Sequence, residues 1–176
     1  MLKSSSSNSM KIRNIEIVRT LLVRDSNSHY RKQALTSPGD AVSVAREFLA
    51  GEDREVFIVM NLDSTSKINS IQTVAMGSLN MAHVQPREVF KSAILSSALQ
   101  IIVAHNHPSG DPSPSDDDGR LTCRLLEYGA LLGIKVLDHI IIGDNEYSHF
   151  EIREGKDNKR EVCWLKDKFK GQTGAS

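Results

Sequence analysis

The sequence has little of several features that would assign it to a common class of protein. Its two cysteines, Cys123 and Cys163, are too few for a disulfide framework or a cysteine-rich zinc site. No apolar run approaches the roughly 20 residues needed to cross a bilayer, and the N-terminal stretch MLKSSSSNSM lacks the apolar centre of a secretory signal. The 22 basic and 22 acidic residues cancel, which leaves no electrostatic case for nucleic-acid binding. We therefore expect a cytoplasmic protein without membrane association, in which histidine and carboxylate side chains hold any metal ion.

The length of 176 residues fits a single domain with polar ends. Residues 1–9 include five serines and are expected to be a disordered tail, because they cannot bury a core. Residues 10–36 are interpreted as an N-terminal extension with an edge strand, and residues 37–152 as the domain itself. Residues 153–176 are polar and charged and are expected to form a C-terminal tail, in which only the segment around Trp164 could dock.

Strands and helices alternate along the domain, which predicts an α/β or α+β fold with a mixed sheet flanked by helices. The string EVFIVMNL is short and almost continuously apolar, as is typical of a buried central strand. Proline at a first helical turn and glycine after a last one give the helix boundaries. The predicted strands are residues 55–62, 68–75, 101–104 and 134–142, and the predicted helices begin at Asp40 as N-cap, at Pro86 and at Asp116.

A histidine pair follows the predicted strand at 101–104. His105 and His107 are two residues apart, and such residues point to the same side of an extended chain. Both imidazoles can therefore bind one metal ion, and a catalytic zinc site needs a third protein ligand. Three aspartates at 116–118 begin the next helix. At about 100° per residue only Asp118 lies on the apolar face of that helix, whereas the helix dipole is a sufficient reason for the other two.

The string HNHPSGDPSPSDDD contains His-x-His, then Ser115, then Asp118. This pattern resembles the JAMM motif of JAB/MPN-domain metalloproteases, and the longer string is similar to the RadC branch of that superfamily. DREVFIVMNLD, PREVFKSAI and LGIKVLDHIIIG also resemble RadC segments. The resemblance implies a JAB/MPN-like domain over residues 37–152 with one zinc ion per chain, bound by His105, His107 and Asp118.

The resemblance further implies a catalytic glutamate and a catalytic serine. Glu55, which opens EVFIVMNL, matches a family glutamate from an early strand, although the residues alone leave Glu47, Glu52 and Glu88 as competing candidates. Ser115 matches the family serine that helps to hold the substrate carbonyl oxygen. Ser115 is equally well placed as an N-cap that forms a capping box with Asp118, and the two roles are compatible.

Four further positions are interpreted individually. Asp138 and His139 lie in a RadC-like segment and either support the site or form a satisfied pair in the core. Cys123 is expected to be an inert buried thiol. Asn106 stands between the two histidines, where deubiquitinating relatives usually carry Ser or Thr, so ubiquitin specificity is not implied.

The leading hypothesis is a zinc-dependent metallopeptidase or isopeptidase-like hydrolase that acts on a peptide or protein substrate. Glu55 would serve as general base and Ser115 would stabilise the oxyanion. The first alternative is a non-catalytic JAB scaffold. The second is an accessory role in DNA repair or other DNA transactions, which rests on the family label alone, because the residues before 37 contain no Gly-rich DNA-binding hairpin.

Overall fold

The computed structural model describes residues 34–77, 84–154 and 160–169. Three helices and six strands lie in these residues. Their bounds are α1 Pro38–Leu49, β1 Glu55–Leu62, β2 Ile68–Gly77, α2 Pro86–Leu95, β3 Gln100–Asn106, α3 Asp116–Leu132, β4 Lys135–Ile142, β5 Glu146–Glu154 and β6 Arg160–Lys168. The predicted disordered tail and the edge strand predicted before residue 34 lie outside the described residues. Within these ranges, no helix combines the length and the apolar character that a membrane span requires.

The strands form one mixed sheet in the order β2-β1-β3-β4-β5-β6. Among the described strands, only β3 and β4 pair in parallel, and α3 connects them, as a parallel pair requires a crossover. The other neighbours pair antiparallel. Seven of the eight residues of β1 are buried, which matches its place between two other strands and its continuous apolar sequence. The predicted α+β class with a mixed sheet is confirmed.

Helices cover both faces of the sheet. On one face α2 and α3 pack over a core that includes Phe57, Val103 and Leu125, and we call this side the α3 face. On the other face α1 packs over a core that includes Ile58 and Ile140. Adjacent residues of β1, such as Phe57 and Ile58, therefore lie in different cores, as the pleat of a strand requires.

Two of the helix ends were predicted with different success. The helix α3 spans the predicted residues, and Gly133 follows it in the left-handed conformation with φ of 70°. The helix α1 begins at Pro38 and has Ser37, not Asp40, as its N-cap. Asp40 instead occupies the third helical position and accepts a hydrogen bond from the Ser37 backbone N–H at 2.9 Å. Ser37 and Asp40 together form a capping box, in which the first residue is the N-cap and the second is the third residue of the helix. The prediction assigned the N-cap to the second of these two residues.

The prediction of a polar tail over residues 153–176 is wrong for Arg160–Lys168, which forms β6 and pairs antiparallel with β5. The residue Trp164 lies opposite Phe150, and the two rings meet edge to face with centroids 5.5 Å apart. The high charge of the segment hid the strand, because no long apolar pattern marks it. A second correction concerns Cys123, which is exposed on α3 rather than buried.

Candidate metal centre

The two histidines lie where β3 leaves the sheet. His105 is the second-to-last residue of β3 and is fully buried, and His107 is the first residue after the strand. The backbone remains extended there, because the His107 N–H donates to the carbonyl oxygen of Ile142 on β4 at 2.9 Å. The two side chains therefore emerge on the same face, as the spacing predicted.

Three potential ligand atoms converge at this point. The Nε2 atoms of His105 and His107 are 3.1 Å apart. Asp118 Oδ1 is 3.3 Å from His105 Nε2, and Asp118 Oδ2 is 4.0 Å from His107 Nε2. Atoms bound about 2 Å from one zinc ion at tetrahedral angles lie roughly 3.3 Å apart. The predicted residues are thus brought together at distances that suit a single small cation.

Asp118 is held in place by the start of its own helix. Ser115 is the N-cap of α3, and its backbone N–H and hydroxyl both donate to Asp118 Oδ2, at 2.7 and 2.6 Å. The capping-box alternative for Ser115 is therefore present in the structure. The other oxygen, Oδ1, is buried and has no hydrogen-bond partner among the described residues. A buried carboxylate oxygen without a donor is costly, and a cation between it and the histidines would compensate that cost.

The loop after β3 fixes the ring of His107. Its Nδ1 is 2.8 Å from the carbonyl oxygen of Asp111. A carbonyl oxygen can only accept, so the hydrogen is on Nδ1. His107 Nε2, which faces His105, therefore carries a lone pair in the neutral ring. Bare lone pairs on both Nε2 atoms at 3.1 Å repel each other, and a metal cation between them would remove this repulsion.

A third histidine, His139 on β4, lies behind His105. Its Nε2 is 3.0 Å from His105 Nδ1, and its Nδ1 is 2.7 Å from Thr122 Oγ1 on α3. Burial, followed by the neighbouring histidines, holds the pKa of both His105 and His139 well below the ordinary value, so both rings are neutral at neutral pH.

His139 gives the site a second possible set of three ligands, because His105, Asp118 and His139 each offer an atom within 4.8 Å of the others. We favour the set with His107. The side chain of His107 is 16% exposed, whereas those of His105 and Asp118 are 0% and 1% exposed. A centre that includes His107 has one partly exposed ligand, which suits the open position of a catalytic site.

Glu55 begins β1, the strand that neighbours β3. It is the first residue of β1, two before Phe57, and Phe57 is paired directly with His105. Strand alternation therefore places Glu55 on the same face of the sheet as His105. The rings of Phe57 and His105 stack with centroids 5.8 Å apart, which ties the two strands together beside the centre.

Asn106 secures the start of β1, a role that sequence reasoning missed. Its Oδ1 accepts from the backbone N–H of Val56 at 2.8 Å, and its Nδ2 donates to the carbonyl oxygen of Arg54 at 2.9 Å. These bonds bracket Glu55 on both sides. No local pattern could have revealed them, because their partners are 50 and 52 residues away in the chain.

Asp138 lies on the opposite face from His139 and is not a ligand of this centre. Its Oδ1 accepts from the backbone N–H groups of His139 and Phe150, and its Oδ2 is 3.3 Å from His149 Nδ1. The hydrogen bond to Asp138 raises the pKa of His149. Each predicted alternative therefore applies to one residue of the pair. Asp138 belongs to a polar cluster away from the site, whereas His139 contacts the candidate metal centre.

The sheet with helices on both faces, the His-x-His pair at the end of β3 and the aspartate in the first turn of α3 define a JAB/MPN-type domain. Comparison with known proteins identifies the branch within this class. A model of the RadC-like JAB domain matches residues 35–156. This match covers more than half of the chain, and the chain belongs to the RadC-like JAB family.

Curated relatives agree with this assignment. A UPF0758 protein of Caldanaerobacter subterraneus subsp. tengcongensis is 47% identical over 130 residues, which are 74% of this chain and 54% of the relative. UPF0758 proteins of Methanosarcina mazei and Alkaliphilus metalliredigens are 47% and 45% identical over 116 and 133 residues. Those matches cover 66% and 76% of this chain, and 51% and 56% of the relatives. The chain thus spans about half the length of these relatives, whose shared name states no activity.

Proposed function

We propose that this domain is a zinc-dependent hydrolase of peptide or isopeptide bonds. The observation that carries the proposal is the convergence of His105 Nε2, His107 Nε2 and the unpartnered Oδ1 of Asp118. A set of two imidazoles and one carboxylate with one reachable position is the ligand chemistry of catalytic zinc. Zinc bound there would acidify a water molecule and polarise the carbonyl group of a substrate.

Glu55 is proposed as the general base. From its place at the start of β1, on the face of His105, its carboxylate takes the proton of the attacking water and returns it to the leaving amine. Asn106 contributes by fixing the backbone on either side of Glu55. A carboxylate on a strand end that is held by two side-chain hydrogen bonds can keep the short distance that proton transfer requires.

Ser115 is proposed to have two roles. Its backbone N–H holds Asp118 Oδ2 at 2.7 Å regardless of where the hydroxyl hydrogen points. The residue is exposed, and rotation of the hydroxyl lets it donate to the developing oxyanion of a substrate while Asp118 stays in place. Capping and oxyanion stabilisation therefore use different donor groups of the same residue.

The test compares wild type with Glu55→Gln, both loaded with zinc and incubated with a defined set of peptides and lysine-linked isopeptides. New termini are detected by mass spectrometry. Wild type should cleave a subset, and Glu55→Gln should keep its zinc but lose activity by roughly 100- to 10,000-fold, the usual contribution of a general base. Loss of zinc from Glu55→Gln would instead make Glu55 a ligand. Cleavage at the wild-type rate, or no cleavage by wild type, would contradict the proposal, and the latter would favour the scaffold alternative.

A further inference from the structure

A chain of buried hydrogen bonds runs from α3 through β4 to His105. Thr122 Oγ1 is 2.8 Å from the carbonyl oxygen of Asp118, one helical turn earlier, and 2.7 Å from His139 Nδ1. His139 Nε2 is in turn 3.0 Å from His105 Nδ1. The side chains of Thr122, His139 and His105 are all fully buried.

Both imidazoles are fully buried, where an unpaired charge is costly, so both rings are neutral. The hydrogens of this chain then have only one arrangement in which each of its short contacts is attractive. The carbonyl oxygen of Asp118 can only accept, so it takes the single hydroxyl hydrogen of Thr122. Thr122 Oγ1 must then accept from His139 Nδ1, which leaves a lone pair on His139 Nε2. That lone pair accepts from His105 Nδ1, and His105 Nε2 is left without a hydrogen.

We infer that Thr122 and His139 are positioning residues that hold His105 in the tautomer with its lone pair on Nε2, the nitrogen that faces His107 and Asp118. The inference rests on the proposed function, because the lone pair matters only if Nε2 binds a metal ion. It extends that function by two residues outside the set of ligands, base and oxyanion donor. Metal-bound histidines generally donate their other N–H to a fixed acceptor, and here the acceptor is a second imidazole.

The surroundings of His139 suit a residue that orients another without exchanging protons with solvent. Aromatic rings enclose it, with centroids 5.6 Å away for Phe57, 6.1 Å for Phe150 and 5.7 Å for Trp164. The fully buried ring is neutral and therefore has one donor and one acceptor. Thr122 then sets the direction of all the hydrogen bonds, because its hydroxyl hydrogen can point only to the carbonyl oxygen of Asp118.

One helix supplies both the carboxylate ligand and the group that sets the tautomer. Asp118 and Thr122 are four residues apart on α3 and therefore lie on the same face. A rotation or shift of α3 would displace both together. The arrangement fixes Asp118 relative to the Nε2 lone pair of His105, as a preorganised site requires.

The first test measures zinc affinity by competition with a chromophoric chelator for wild type, Thr122→Val and Thr122→Ser. Valine keeps the shape but removes the hydroxyl, so affinity should fall by roughly 10- to 100-fold, as for other partners of metal ligands. Serine keeps the hydroxyl and should restore affinity close to that of wild type. The matched control is Ser92→Ala, which removes a buried hydroxyl that accepts from Asn61 Nδ2 at 2.9 Å on α2 and should leave zinc affinity unchanged. Equal affinity of the valine and wild-type proteins would overturn the inference.

The second test reads the tautomers directly, by long-range proton–nitrogen NMR correlation of the imidazoles in metal-free wild type. His105 and His139 should both carry hydrogen on Nδ1. Hydrogen on Nε2 of either ring would overturn the inference even if Thr122→Val did not fold. Failure of the proposed function has a different signature, because wild type would then bind no zinc while its tautomers still agreed with the chain of hydrogen bonds.

Discussion

Asp118 shows what a single residue reveals about this site from sequence alone. Its inward direction followed from the helical period, because α3 has the predicted bounds and its apolar residues mark one face. The same local argument placed His105 and His107 on one side of the chain. Both deductions need only the geometry of one element, and for that reason they could be made before the fold was known.

Glu55, Asn106, Thr122 and His139 could not be selected in the same way. Glu55 depends on the pairing of Phe57 with His105, and His139 depends on its pairing with Val103 in the parallel ladder. Register between strands that are distant in the chain has no signature in a single sequence. Glu55 is a candidate through the resemblance to RadC proteins, and Asn106 and Thr122 emerge from their hydrogen bonds alone.

His149 predicts a pH dependence of stability. Its Nδ1 is 3.3 Å from Asp138 Oδ2 and its Nε2 is 3.5 Å from Asp167 Oδ2, and the hydrogen bond to Asp138 is the main cause of its raised pKa. A raised pKa in the folded state stabilises the fold below the unfolded value of about 6.5, and this stabilisation is lost as the pH rises through the folded value.

The experiment is denaturant unfolding of wild type and His149→Gln at about pH 5.5 and about pH 8.5, on either side of the unfolded pKa. Wild type should be the more stable protein at the lower pH by less than about 1 kcal/mol, as for a partly exposed ion pair, and the difference should shrink at the higher pH. A difference that grows with pH would contradict the assignment of a charged His149 between the two aspartates.

The strand β6 illustrates where prediction failed for a whole element. Charged residues occupy most of Arg160–Lys168, and a strand at the end of a sheet buries only part of one face, so its apolar signal is weak. The partner strand β5 was also not among the predicted strands. By contrast β1 and α3 were predicted with the observed bounds, because a continuous apolar run and a capped amphipathic period are strong local signals.

Removal of one side chain tests whether β6 belongs to the folded domain. Trp164 packs edge to face on Phe150 and His139, so Trp164→Ala should lower the free energy of unfolding by about 2 kcal/mol, less than the roughly 3–5 kcal/mol lost at a fully buried position. The matched control is Lys166→Ala, two residues further along the strand, which loses exposed ion pairs with Asp111 and Glu146 and should cost less. Chemical unfolding curves of the two variants decide the point, and wild-type stability of Trp164→Ala would restore the view of this segment as a tail.

For the molecule as a whole, the predicted class of fold is confirmed and the topology explains the position of the site. The only parallel pair in the described sheet is β3 with β4, and α3 links the two. One loop joins the carboxyl end of β3 to the amino end of α3. This connection brings His105 and His107 next to Asp118. Strand order could not be predicted, because several orders satisfy the same alternation of strands and helices.

The central claim is that His107, together with His105 and Asp118, holds one zinc ion. The most direct measurement is the zinc content per chain, by elemental analysis after saturation and removal of excess metal, for wild type and His107→Ala. Wild type should retain one zinc ion per chain, and His107→Ala should retain none, because the remaining atoms are fully buried and offer only two ligands on that side. A wild type without zinc would contradict the claim, and so would a His107→Ala protein that keeps its zinc, since His139 would then be the third ligand.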